Sequence, residues 1–97
     1  MRTYQNVFEL TTRYDSRRSF YGKAQVLEDT DGNYWLKSYE TIVAYCDRET
    51  GEVVTMGYYS TTTSRHQKEF VSQFDRTGRT WEQVKRESVE KSENLTA

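Results

Sequence analysis

Large and small polar side chains alternate from the start of the chain. Tyr4, Phe8, Leu10 and Tyr14 share one parity with Asn6 and Thr12, while Gln5, Glu9, Thr11 and Arg13 fill most of the other. A period of two predicts a half-buried strand, because successive side chains leave opposite faces of a pleated backbone. Asp15-Ser16-Arg17-Arg18-Ser19 breaks the pattern and reads as a basic loop. Alternation resumes from Phe20 to Glu28, with Phe20, Gly22, Ala24 and Val26 opposite Tyr21, Lys23, Gln25 and Leu27. Gly22 marks a bulge or a close backbone approach. Asp29-Thr30-Asp31-Gly32-Asn33 then supplies an Asp-Gly turn, and Tyr34–Tyr39 returns as the next strand. Thr41–Cys46 is β-branched and aromatic, Asp47–Gly51 is a second Gly-closed turn, and Glu52–Tyr59 comes back again. Consecutive hairpins of this kind predict a meander.

The period then changes. His66, Phe70 and Phe74 stand four apart, which predicts a helix over about 64–74 with one apolar face. Ser64 and Gln67 have capping-box spacing at its start. Thr80 and Gln83 repeat that spacing before Trp81, Val84 and Val89, which predicts a weaker second helix. Beyond Lys85 the charged, Ser-rich residues predict a frayed tail over 85–97. The expected fold is therefore α+β. It is one domain over 1–97, with its core about 4–84, an antiparallel meander of four to five strands, one packed helix and a second, weaker one.

Composition narrows the class. Only 34% of the 97 residues are apolar, so the core must be small, and eight Tyr among the aromatics give it bulk with polar tips left for water or a partner. With no apolar run approaching the roughly 18–20 residues of a membrane span and no apolar stretch after the first charge, neither a membrane protein nor a secreted one is expected. Cys46 is the single cysteine, so it has no internal disulfide partner, and it reads as a small buried residue of a strand in a reducing cytoplasm. The net charge of −1 is unevenly distributed. Residues 1–23 carry five bases and two acids, 24–55 two and seven, and 56–97 seven and six. A uniformly basic nucleic-acid binder or a uniformly acidic mimic does not look like this.

Four motifs bear on chemistry. Asp29, Asp31, Asn33 and Glu40 fall at positions 1, 3, 5 and 12 of a calcium loop, but Tyr34 occupies the position that needs Gly and the flanks read as strands. An ordinary hairpin turn is the expected reading, with no metal. His66, the only histidine, has no local signature of a catalytic set, no glycine-rich phosphate loop occurs, and no enzyme activity or cofactor is expected. The Ser/Thr run over 60–64, followed by Arg65 and Lys68, offers hydroxyls and cations to an anion. Arg13, Arg17, Arg18 and Lys23 interleave with Tyr14, Phe20 and Tyr21, a composition that suits phosphate neutralisation with base stacking.

The stretch Ser38-Tyr39-Glu40-Thr41-Ile42-Val43-Ala44, followed by Gly57-Tyr58-Tyr59-Ser60-x-Thr62-Thr63-x-Arg65-His66-x-x-Glu69-Phe70, resembles a family of small uncharacterised proteins from phages and other mobile elements. The similarity covers roughly Phe20 to Phe74. It implies a setting inside a bacterial cell, where such proteins bind host machinery or defence complexes. The expected function is thus a non-enzymatic protein–protein contact, for instance inhibition of a CRISPR effector, with nucleic-acid binding as the alternative. The binding residues expected on these grounds are Arg17, Arg18, Tyr21 and Lys23 on one side and Tyr59, Thr62, Thr63, Arg65, His66 and Lys68 on the other.

Overall fold

The computed structural model describes residues 4–13, 20, 22–56 and 61–96, with side chains as far as Ser88. Five strands come first, β1 Tyr4–Glu9, β2 Ala24–Asp29, β3 Tyr34–Ser38, β4 Thr41–Cys46 and β5 Val53–Thr55, and then two helices, α1 Thr61–Phe74 and α2 Trp81–Thr96. The strands lie in sequence order in one antiparallel sheet. This is the α+β meander that the alternation predicts.

Both Gly-containing turns form where the sequence places them. Gly32 and Gly51 take φ of 87° and 73°, values that favour glycine. The Asp29 carboxylate nucleates the first turn by accepting the amides of Asp31 (3.0 Å) and Asn33 (2.9 Å) and the Trp35 indole N–H (2.9 Å). A third hairpin, between β3 and β4, holds Tyr39 at φ 55°, a left-handed conformation that costs a non-glycine residue on the order of 1 kcal/mol.

One face of the sheet builds the core. Ala24, Val26, Leu36, Ala44, Cys46 and Val53 meet Phe70 and Val71 from α1 and Val84 from α2, closed by Leu10, Phe20 and Val43. Fully burying a Val, Leu or Phe side chain contributes about 1.5–3 kcal/mol, and nine of these twelve core residues are of that kind. On the other face Val7, Leu27, Trp35, Tyr45 and Val54 stand directly opposite one another through all five strands, forming a single cross-sheet row.

The β5 edge is sealed. The Val53 amide donates to Asp75 Oδ2 (3.1 Å), the Val53 carbonyl accepts from Arg79 (3.0 Å), and the Thr55 amide donates to Ser88 Oγ (2.9 Å). Side chains from the α1–α2 junction and α2 thereby occupy backbone groups that another strand would take.

Several boundaries differ from the sequence reading. β2 begins at Ala24 rather than Phe20, because the Lys23 amide closes a turn on the Phe20 carbonyl (3.0 Å) with Gly22 at φ 75°. β5 ends at Thr55, the Met56 amide adds one more bond to Val43 O (2.9 Å), and 57–60 lie outside the described residues. α1 begins at Thr61, so Ser64 sits inside the helix instead of capping it. Burial of Thr63 against Ser38 draws the β-branched run into the first turn, against its weak helix propensity. At α2 the capping box forms as spaced, the Thr80 amide donating to Gln83 Oε1 (2.8 Å) and the Gln83 amide to Thr80 Oγ1 (3.3 Å), and the helix continues past Lys85.

Candidate functional site

Helix α1 separates the expected binding residues onto opposite sides. At about 100° per residue, Thr63, His66, Gln67, Phe70 and Phe74 fall on one arc, and Thr61, Ser64, Arg65 and Lys68 fall on another. The first arc is turned to the sheet. Thr63, His66, Gln67 and Phe70 are buried, and Phe74 packs against the core. The second arc, with Trp81 and Lys85 of α2, lines a groove of about 320 Å³.

The inward arc forms a polar anchor. Ser38 Oγ lies 2.7 Å from His66 Nδ1 and 3.2 Å from Thr63 Oγ1. The imidazole is walled by the Phe20 ring, edge-on at 4.5 Å, and by Tyr39 at 5.9 Å. Gln67 donates to Val43 O (2.9 Å), and the buried Glu69 carboxylate accepts the Arg13 amide (3.0 Å) and the Gln73 side-chain amide. A serine hydroxyl beside an imidazole invites comparison with nucleophilic catalysis. Here both residues and the neighbouring Thr63 are buried between α1 and the sheet. The arrangement joins α1 to β3 and β4 and gives the Ser38 hydroxyl, His66 Nδ1 and the Gln67 amide buried partners. His66 and Thr63, expected at a binding surface, are therefore interior residues: the four-residue spacing of His66 with Phe70 and Phe74 places them on the core side.

The outward arc has different chemistry. Arg65, Lys68 and Lys85 line the groove with the Trp81 indole, and among the described residues no carboxylate lines it. Lys85 Nζ sits over the indole ring, 4.3 Å from its centroid. Trp81 is partly buried and packs against the hydrophobic core. Among the described residues Lys68 and Lys85 have no ion-pair partner, so their charge faces solvent or a ligand. Thr62 stands half-buried between the two arcs, and Lys23 is exposed near the β2 start, away from this lining. Arg17, Arg18, Tyr21 and Tyr59 lie outside the described residues. Trp81 and Lys85 are the site residues that sequence reasoning missed. Their signal was present as an i, i+4 aromatic–cation pair directly after a capping box.

The calcium alternative fails on geometry. Asp29 and Asn33 sit at one end of β3, and Glu40 at the other, roughly 15 Å away along a five-residue strand. Glu40 pairs instead with Lys37 (3.5 Å). Burial pushes the Asp29 carboxyl upward, but the N–H donors of Trp35, Asn33 and Asp31 outweigh it and hold it below its ordinary value. Among the described residues no three His, Cys, Asp or Glu side chains come together to hold a metal ion. Cys46 is buried, and burial pushes its thiol up to about 11.

The match to a family model covers residues 8–89, from the end of β1 into α2, and so takes in the anchor and the groove together. The chain belongs to the family of unknown function DUF8033. No curated protein and no solved structure matches it. Among the described residues no helix is long and apolar enough to cross a membrane.

Proposed function

We propose that this domain acts by binding rather than by chemistry, and that the α1–α2 groove takes an acidic segment of a partner protein. The observation that supports this most directly is the lining: Arg65, Lys68 and Lys85 around Trp81, with no acidic residue among them. Three cations on two rigid helices favour carboxylates, and an indole between them offers apolar contact at low entropic cost. In the phage or mobile-element setting suggested by the resemblance, the partner is a host or defence-system protein of the bacterial cytoplasm, such as a CRISPR effector.

The same cations and aromatic also favour a second reading, single-stranded nucleic acid. Base stacking needs an open ring face. In the groove Lys85 Nζ sits over the Trp81 ring and the indole is partly buried against the core, which favours the protein ligand.

Affinity capture from host lysate distinguishes the readings, using wild type beside Lys68→Glu/Lys85→Glu and a parallel titration of labelled oligonucleotides at two salt concentrations. A captured protein lost on charge reversal is the expected result. Capture unaffected by reversal overturns the groove assignment. Oligonucleotide binding that weakens with salt, by a log–log slope of roughly −0.7 per contact, would favour the second reading.

A further inference from the structure

We infer that β1 is a self-association edge, where two copies of this chain join antiparallel β1 to β1 about a two-fold axis at Val7. The two edges of the sheet are built differently. β5 has its outward backbone groups occupied by Asp75, Arg79 and Ser88, whereas no described segment covers the outer edge of β1. The Leu10 amide donates inward to Ala24 O (2.9 Å), so the alternating pattern of an antiparallel ladder points the amides and carbonyls of Val7 and Glu9 away from the sheet. These are the groups that an added strand would bond.

The side chains select the occupant. Val7 and Phe8, at 56% and 44% exposure, are two of the three large apolar residues exposed among the described ones, and they are adjacent on this edge. With Val7 of one copy opposite Val7 of the other, the two valines meet on one face. On the opposite face the two Phe8 rings become diagonal neighbours, within reach of each other. Glu9 of each copy then falls beside Gln5 of the other, where the β1–β2 register shifts between Tyr4 and Asn6, so no like charges are juxtaposed. The pairing also prolongs the row Val54-Tyr45-Trp35-Leu27-Val7 into its symmetry mate, continuing a surface whose inner members Leu27, Trp35 and Val54 are already buried. An isologous interface must be self-complementary, and this register meets that demand at its centre, where Val7 faces Val7 and the two Phe8 rings are diagonal neighbours. The inference is independent of the ligand assigned to the groove.

Analytical ultracentrifugation of the full chain over a wide concentration range tests it, with any tag kept at the C-terminus. Wild type should show a concentration-dependent monomer–dimer equilibrium. Val7→Lys and Val7→Glu, each placing like charges opposite each other at the axis, should weaken it at least tenfold while leaving the circular dichroism spectrum intact. Mixing the two variants should restore dimer, an outcome that a general loss of stability cannot produce. A wild type that remains monomeric throughout, a Val7→Lys variant that dimerises like wild type, or a mixture that stays monomeric would each overturn the inference.

Discussion

Replacing Asp75 by Ala removes the carboxylate that seals the β5 edge, and the structure sets the size of the loss. The side chain is 1% exposed. Its Oδ2 accepts the Val53 amide (3.1 Å) and Arg79 (3.1 Å), and its Oδ1 accepts the Thr77 amide (2.8 Å) and the Thr77 hydroxyl. A hydrogen bond to a charged group contributes about 1.5–3 kcal/mol, and a buried amide left unpaired costs about 1–3 kcal/mol. The Arg79 contribution is smaller, because the guanidinium keeps Glu87 (3.1 Å) and the Val53 carbonyl (3.0 Å). A net loss of about 3 kcal/mol is expected, lowering the melting temperature by roughly 12–24 °C for a domain of this size. Asp75→Asn, which keeps an acceptor oxygen, should lose roughly half as much. Urea denaturation measures the difference, and hydrogen exchange at the Val53 amide locates it. A loss below about 1 kcal/mol, with Val53 still protected, would show that Arg79 and Ser88 seal the edge without Asp75.

Other consequences are equally open to measurement. Asp29 and Asp75 both have carboxyls held below the ordinary 3.8, burial being outweighed by hydrogen bonds from Trp35, Asn33 and Asp31 in one case and from Thr77, Val53 and Arg79 in the other. Their contribution to stability is therefore complete above the unfolded-state value and is lost as pH falls through the lower folded values, so thermal stability should drop below about pH 4 and the drop should shrink in Asp29→Asn/Asp75→Asn. An equally steep acid limb in that double variant would refute this. Cys46, buried with its thiol pushed up to about 11, should resist a thiol reagent at pH 8 until denaturant is added, and fast labelling of the native protein would contradict its placement. Phe70→Ala, at a fully buried ring stacked on Phe74 at 4.8 Å, should cost about 3–5 kcal/mol in a urea melt, while Lys68→Glu/Lys85→Glu should change stability by less than about 1 kcal/mol.

Alternation and turn chemistry made the meander readable, since Gly32 and Gly51 mark the turns and Thr80 with Gln83 marks the α2 start. Boundaries controlled by distant contacts were not readable. The start of α1 depends on Thr63 reaching Ser38, twenty-five positions earlier, and the shortness of β5 depends on groups supplied by the α1–α2 junction and α2. The candidate site was half legible. Arg65 and Lys68 are in the groove, but Trp81 and Lys85 come from a helix whose packing no local pattern announces. His66 misled because a polar residue near cations suggests a surface, while its spacing from Phe70 and Phe74 already placed it on the core face.

The interior polar residues and the exterior cations are linked through the rotation of one helix. A helix held only by apolar contacts can turn about its axis at modest cost, because one aliphatic neighbour substitutes for another. The Ser38–His66 bond at 2.7 Å and the Gln67 bond to Val43 O at 2.9 Å have no such substitutes, since a rotation that broke them would leave buried polar groups without partners. They fix which arc of α1 faces the sheet, and at about 100° per residue that choice directs Arg65 and Lys68 toward Trp81. From the other side, Val84 in the core and Ser88 on the Thr55 amide fix α2 by the same logic. The cations are thus held by helices whose azimuths are set from within, and a surface built this way keeps its charge pattern in place before any ligand arrives. A preorganised cluster of like charges raises electrostatic repulsion in the free protein, which the acidic ligand we propose would relieve on binding.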